Sequence, residues 1–372
     1  MSVTTVPAGI RLLLWGKAAG RCEYRGCNHR LGRDAVTGAE FNSAYVAHIV
    51  ADSADGPRGD PKLSEILKAE ISNLMLLCDV HHRLIDIGDV AGHPVELLQQ
   101  MKAEHEERID LVADLQVQRR TTLLLYGANI GANASPLTLT AAKGAVLPLR
   151  YPCPLPITLG LTGSESRDRE PTFWASEAEN LRRQFEKLVR PRLNDRSLSP
   201  ISLFAIAPQP LLMLVGSMLT DIPETDVFQL HREPQTWSWL EDHRAVEFKL
   251  RASNKKGTGP AALVLSLSAK VARERVTSVL GKSSRIWELT VDAPSNDFLR
   301  SREQLRSFRS AMRATYDEIK ATIGEAEHLH VFPAAPVAVA VEVGRVRQPK
   351  ADVSLFVYDS HQGVFSRALE IQ

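Results

Sequence analysis

The feature that most constrains this chain is a set of metal-type and polar residues gathered in its first quarter: Cys22, Cys27, His48, Asn73, Cys78, His81 and His82. Three of the four cysteines are among them. Cys22 and Cys27 are separated by four residues in CEYRGC, and Cys78 and His81 by two in CDVHH. Spacings this short let one turn present two ligands to a tetrahedral Zn²⁺, and two such turns make a closed Cys₃His cage. A closed cage has no open position for substrate, so the zinc is expected to be structural, pinning a small fold with little core of its own. Ordinary buried cysteines have no reason to arrive in close pairs. No secretory signal is read ahead of them, so a reducing, cytoplasmic setting is expected and a Cys22–Cys27 disulfide is not.

Around the cage, AYVAHIVAD alternates as a strand that delivers His48 to its end, and NLMLLC reads as a second short apolar strand. A helix is expected to begin at His81 and run to Ile87. In this strand, strand, helix unit His48, Asn73 and His82 are expected to converge while His81 turns back to the zinc. The pattern resembles the HNH endonuclease family over about residues 20 to 110. The resemblance implies a ββα-metal module in which His48 is the general base, Asn73 a positioning residue and His82 a ligand of a catalytic Mg²⁺ or other divalent cation. The chemistry agrees, since phosphodiester hydrolysis needs a nucleophile deprotonated near neutral pH and a cation beside the phosphate. One departure stands out: many family members place Asp, His or Glu immediately before the general base, where this chain has Ala47. Asp52, Asp86, or backbone and water are left to complete the coordination.

At 372 residues the chain suggests two or three domains, each able to bury a core. No run of about twenty apolar residues is present to span a membrane. Its 45 basic and 44 acidic residues nearly balance, whereas a protein that stays on DNA is usually more basic, and this points to local or conditional DNA binding. Pro94 to about Arg119 reads as one long amphipathic helix, with Leu98, Met101, Ile109, Val112 and Leu115 at near-helical spacing. Gly56 to Asp60, GPRGD, reads as a loop whose Arg58, like nearby Lys62, is a solvated charge or a phosphate contact.

The remaining two thirds has another texture. Apolar strands at Thr121–Gly131 and Ala261–Val271, each followed by a helix (Ser176–Val189, Ser301–Ile323) and a further strand (Ile201–Pro208, His328–Pro336), suggest two similar α/β units with parallel sheets. No close sequence repeat accompanies them. LFAIAPQPLLMLVGSMLTD, the HRE and TWSW segments, LSLSAKV, HLHVFPAAPVAVAVEVGR and the closing FVYD together resemble a SAVED domain over about residues 120 to 372. That resemblance implies two Rossmann-like, CARF-related α/β subdomains that bind cyclic di- or oligonucleotides made by bacterial antiviral synthases. An HNH module ahead of SAVED is the layout of a CBASS effector nuclease.

The expected fold is therefore α+β plus α/β: an HNH module over 1–110, a linker or helix end over 111–120, and a SAVED sensor over 121–372 with halves at 121–255 and 256–372. In the sensor, Gly127, Asn129 and Gly131 follow a strand end where backbone N–H groups meet phosphate. Pro336 sits at the matching strand end of the second half, where it shapes the backbone. Trp237 and Trp239 offer faces for a purine, and Lys143, Arg232 and Lys270 offer charge for phosphates. The expected function is an antiviral endonuclease acting on double-stranded DNA, switched on by a cyclic dinucleotide or oligonucleotide. It is expected to be a homo-oligomer, a dimer at rest and higher when ligand-bound. The alternatives are a non-enzymatic nucleotide-binding adaptor with a zinc-stabilised interaction module, and an ungated nuclease acting on RNA.

Overall fold

The computed structural model describes residues 5–129, 137–160, 172–195, 198, 200–240, 242, 244–253, 257–324 and 328–372. The chain forms two compact units, Met1–Gln116 and Val117–Gln372. The first carries helix α1 (Ala8–Lys17), strand β1 (Tyr45–His48), α2 (Leu63–Leu67), β2 (Leu74–Leu77), α3 (Asp79–Arg83) and α4 (Val95–Ala113). β1 and β2 pair antiparallel with His48 opposite Leu74. All four residues of β2 are buried, against Leu14, Leu31, Ile85 and Leu98. α3 runs on into a π-helical turn, Leu84–Gly88.

The long helix ends earlier than its periodicity predicts. α4 stops at Ala113, Asp114 caps it, and Val117–Arg119 is a separate 3₁₀ turn. Burial explains the stop: α4 buries Leu98, Met101, Lys102 and His105 in its first half, whereas Leu111 and Val112 are already exposed. Further turns would cover no apolar surface, and helical stability comes mainly from such packing.

The second unit contains β3 (Arg120–Gly127), α5 (Leu139–Val146), β4 (Tyr151–Pro152), β5 (Ile157–Leu159), α6 (Phe173–Leu188), α7 (Arg190–Asn194), β6 (Ile201–Ile206), α8 (Gln209–Leu219) and β7 (Thr225–Val227). It continues with β8 (Lys249–Ser253), β9 (Ala261–Ser266), α9 (Arg273–Leu280), β10 (Arg285–Thr290), α10 (Arg302–Ile323), β11 (Leu329–Ala334), α11 (Val337–Val346), β12 (Leu355–His361) and β13 (Val364–Ile371). The first sheet runs β4-β3-β6-β7, with β5 also on β3, and every pair in it is parallel. The second runs β13-β12-β11-β9-β10-β8, parallel through its four central strands and antiparallel at both edges. Strands such as β6 and β9 are buried at every position, which is why they read as continuous apolar runs. β8 pairs with β10 and so lies in the second sheet.

The two halves share a device. In each, a strand ends in Ala-Pro, the proline caps a helix, and a glycine follows eight residues after it: Pro208 with Gly216, Pro336 with Gly344. α8 and α11 cross at those glycines. A Cβ on Gly216 would lie 2.0 Å from Val341 O, and one on Gly344 1.9 Å from Met213 O, so only glycine permits this approach. Side-chain amides tie the same region together, Gln209 Oε1 accepting from Ala335 N and Gln229 Oε1 from Ala338 N, both at 3.1 Å.

Candidate active site and metal knuckle

Four donors meet in the first unit. Cys22 and Cys78 Sγ lie 3.6 and 3.2 Å from His81 Nδ1, and the ligand atoms of Cys22, Cys27, Cys78 and His81 all fall within 4.8 Å of one another. Ligands at Zn–S and Zn–N distances on a tetrahedron stand about 3.3–3.8 Å apart, so the donor set fits zinc. Burial pushes the Cys22 thiol up, and the neighbouring Cys78 and Cys27 add to that, so a cation is needed to hold three thiolates here. Burial likewise lowers His81, favouring the neutral imidazole that ligates. The ring of Tyr24 stacks on His81 at 4.0 Å. Its hydroxyl lies 3.0 Å from His93 Nε2, and His93 Nδ1 donates to Asp89 O at 2.6 Å. This chain of contacts fixes the ligand ring from behind.

Beside the knuckle is a cavity of about 520 Å³ lined by Tyr45, His48, Asp52, Asp79, His82 and Asp86, among others. His48 reaches it from the end of β1. Its Nε2 donates to Lys68 O at 2.9 Å, which leaves Nδ1 with the free lone pair of the neutral ring. His82 stacks on Tyr45 at 4.7 Å, and its Nε2 stands 3.3 Å from Asp86 Oδ2. Asp52 lines the same cavity from the loop after β1.

Asn73 does not converge with the two histidines. It is 3% exposed and its amide is consumed by backbone: Oδ1 accepts from Val50 N at 2.8 Å, and Nδ2 donates to Val50 O at 2.8 Å and to Leu67 O at 3.3 Å. It clamps the segment that follows His48. Arg58 corrects the reading of GPRGD more sharply, since it is neither solvated nor free for phosphate. Its guanidinium is bonded to Asp86 and to the carbonyls of His48, Ile49 and Ile85. Only its place between Gly56 and Gly59 hinted at an unusual backbone.

The sensor-side residues scatter. Gly127 ends β3 and approaches Gly160 so closely that a Cβ on the latter would stand 2.4 Å from Gly127 O. Asn129 is half-buried just beyond, and Gly131 lies outside the described residues. Lys143 on α5, Arg232 and Lys270 are exposed, while Pro336 is buried as the cap of α11. Trp237 is not a stacking platform. It is 4% exposed and packs edge-on against Phe204, 5.3 Å away, in a core with Phe228 and Ile206. Trp239 is half-buried against His231, 5.7 Å away, and both Trp239 Nε1 and His231 Nε2 are buried without a hydrogen-bond partner. Burial, aided by Arg300, lowers His231 to about 4, so its ring is neutral. The roles of Gln209, Gln229 and His231 are not marked in the sequence, although Gln209 and His231 fall within segments that carry the SAVED resemblance.

Residues 181–371 match the family of the SMODS-associated and fused to various effectors sensor domain, SAVED. The chain belongs to the SAVED family. No curated protein matches it. Among solved structures it is similar to an Acinetobacter baumannii Cap4 SAVED/CARF-domain containing receptor with the cyclic trinucleotide 2'3'3'-cAAA, at 12% identity and TM-score 0.41 over 74% of this chain and 55% of that one. The same receptor with 3'3'3'-cAAA gives 11% and 0.41 over 84% and 67%. A Moraxella osloensis Cap4 receptor gives 12% and 0.39 over 84% and 70%. The chain thus spans about half the length of the first of these. Among the described residues of this SAVED chain, no helix is long and apolar enough to cross a membrane.

Proposed function

We propose that this chain is a nuclease effector: an N-terminal HNH module that hydrolyses DNA phosphodiesters with a divalent cation, governed by a SAVED domain that binds a cyclic di- or oligonucleotide. The observation that carries the reading is one cavity faced by both His48, with its Nδ1 lone pair free, and the His82–Asp86 pair. Asn73 locks the backbone after His48, and the Cys₃His knuckle ties the start of α3 to the segment that carries Cys22 and Cys27.

In this reading His48 Nδ1 takes a proton from water while Lys68 O, accepting from Nε2, holds the ring in the tautomer that can do so. The imidazolium that forms keeps its Nε2–H bond to that carbonyl, so no reorientation is required. His82 and Asp86 present Nε2 and Oδ2 side by side as ligands for Mg²⁺ or a similar ion, and Asp52 lines the same cavity. When bound, the ion neutralises charge on the phosphate and on the departing oxygen. The sequence carries no helix-turn-helix pattern for reading base edges, and double-stranded DNA of little sequence preference is the proposed substrate.

The SAVED match supports the sensing half, because that family is a sensor domain fused to effectors. A nuclease of weak preference must rest inactive. A nucleotide switches it by binding the active arrangement more tightly, and moving a population from 1:99 to 99:1 takes about 5.5 kcal/mol of differential binding. Assembly from a dimer into a higher oligomer, bringing two nuclease modules to one duplex, is the proposed active arrangement.

The cleft reading is tested with His48→Ala and His82→Ala, scored for plasmid cleavage, zinc content and folding. Loss of a general base lowers the rate by about 10²–10⁴-fold, with zinc and fold retained. A folded His48→Ala protein that cleaves at the parent rate contradicts the assignment.

A further inference from the structure

We infer that Arg58 is a positioning residue that sets Asp86 as the cation-facing carboxylate of the cleft, supplying what Ala47 does not; the inference rests on the nuclease reading above. Arg58 lies in the loop between β1 and α2, and its side chain is only 6% exposed. Nε donates to Ile49 O at 2.8 Å, Nη1 to Ile85 O at 2.6 Å, and Nη2 to Asp86 Oδ1 at 2.7 Å and His48 O at 3.3 Å. Two of those carbonyls belong to the strand end that carries His48, and the third to the helical turn that carries Asp86. A planar guanidinium can span them in one rigid fork, which a lysine ammonium cannot.

With Oδ1 held, the other carboxylate oxygen is left facing His82 Nε2 at 3.3 Å. That is close to the roughly 3.0 Å edge between neighbouring ligands of an octahedral ion with bonds near 2.1 Å. His82 and Asp86 are neighbours on one helix face by their four-residue spacing, and the turn that carries Asp86, Leu84–Gly88, is π-helical, a widened turn often found at functional sites. The backbone supports the same conclusion. Arg58 has φ +58°, the left-handed region that a residue with a Cβ enters at a cost. Its hydrogen bonds offset that strain, so the side chain, rather than the turn, accounts for an arginine here.

The test is calorimetric titration of Mn²⁺ into the full-length, zinc-loaded protein and its Arg58→Lys, Asp86→Asn and double variants. Arg58→Lys is expected to keep its zinc and a single cooperative unfolding transition, at a midpoint lowered by the lost hydrogen bonds, while binding Mn²⁺ about 10–100-fold more weakly, the usual loss for an outer partner of a ligand. In the Asp86→Asn background the same substitution should add nothing further, a non-additivity that a general loss of packing would not produce. Equal weakening in both backgrounds overturns the inference, as does unchanged Mn²⁺ affinity in folded Arg58→Lys when Asp86→Asn alone weakens binding. Parent-like binding by Asp86→Asn sinks the cation reading of the cleft itself. Should the lysine variant misfold, Arg58→Gly relieves the backbone strain, and added guanidinium ion should restore its Mn²⁺ affinity; failure to restore it counts against the inference.

Discussion

Replacing Asn73 with alanine should detach the segment that follows His48, and the structure fixes the size of the effect. The substitution removes two hydrogen bonds of 2.8 Å, to Val50 N and Val50 O, and a weaker one of 3.3 Å to Leu67 O. Val50 is 4% exposed, so water does not readily replace the lost partner. A buried backbone group left unpaired costs about 1–3 kcal/mol, and two such groups with partial relaxation give roughly 3 kcal/mol. For a unit of this size that lowers the unfolding midpoint by about 12 °C, at roughly 4 °C per kcal/mol. Calorimetry of the zinc-loaded protein reads the midpoint, and hydrogen exchange at the Val50 amide reads the clamp directly. Exchange there should rise to loop-like rates while β2 stays protected. A midpoint shift under about 2 °C together with unchanged Val50 protection would refute the clamp.

Zinc should copurify at one equivalent per chain and survive mild chelation that abolishes cleavage; elemental analysis giving less than about half an equivalent in intact protein counts against the cage. Gly344→Ala should lower the stability of the second unit by about 3 kcal/mol or more, because its Cβ would stand 1.9 Å from Met213 O and 2.7 Å from Ser217 N and force α8 and α11 apart. An unchanged calorimetric midpoint would show that the crossing is looser than described.

What was legible in the sequence follows the range of the forces involved. The knuckle was readable because ligand spacing is local and a turn leaves few ways to present two donors. The buried parallel strands were readable because full burial writes itself as an apolar run. α11 was not: VAVAVEVGRV is rich in β-branched residues and alternates as a strand would, yet it is helical. Burial on nearly every side, between α8 and α10, overrides its propensity. Trp237 and Trp239 look alike in TWSW, but one fills a core with Phe204 and Phe228 and the other sits beside His231, a difference set by which partners the fold brings to each ring. Arg58 was the least legible. An arginine between glycines in a polar loop reads as solvent-facing charge, and only the approach of three carbonyls and Asp86 makes it internal.

The central claim, that a cyclic nucleotide on the SAVED unit switches on cleavage by the N-terminal unit, is tested most directly by one titration. Purified full-length protein is mixed with Mg²⁺ and supercoiled plasmid, and cyclic di- and triadenylates and mixed cyclic dinucleotides are added in turn while nicking and light scattering are recorded together. The account predicts no cleavage without nucleotide, and cleavage with at least one of them over the same concentrations that raise the solution mass at least about twofold, as ligand-shifted assembly requires. Full cleavage without nucleotide, or binding of a cyclic nucleotide with no cleavage at any concentration, would contradict it.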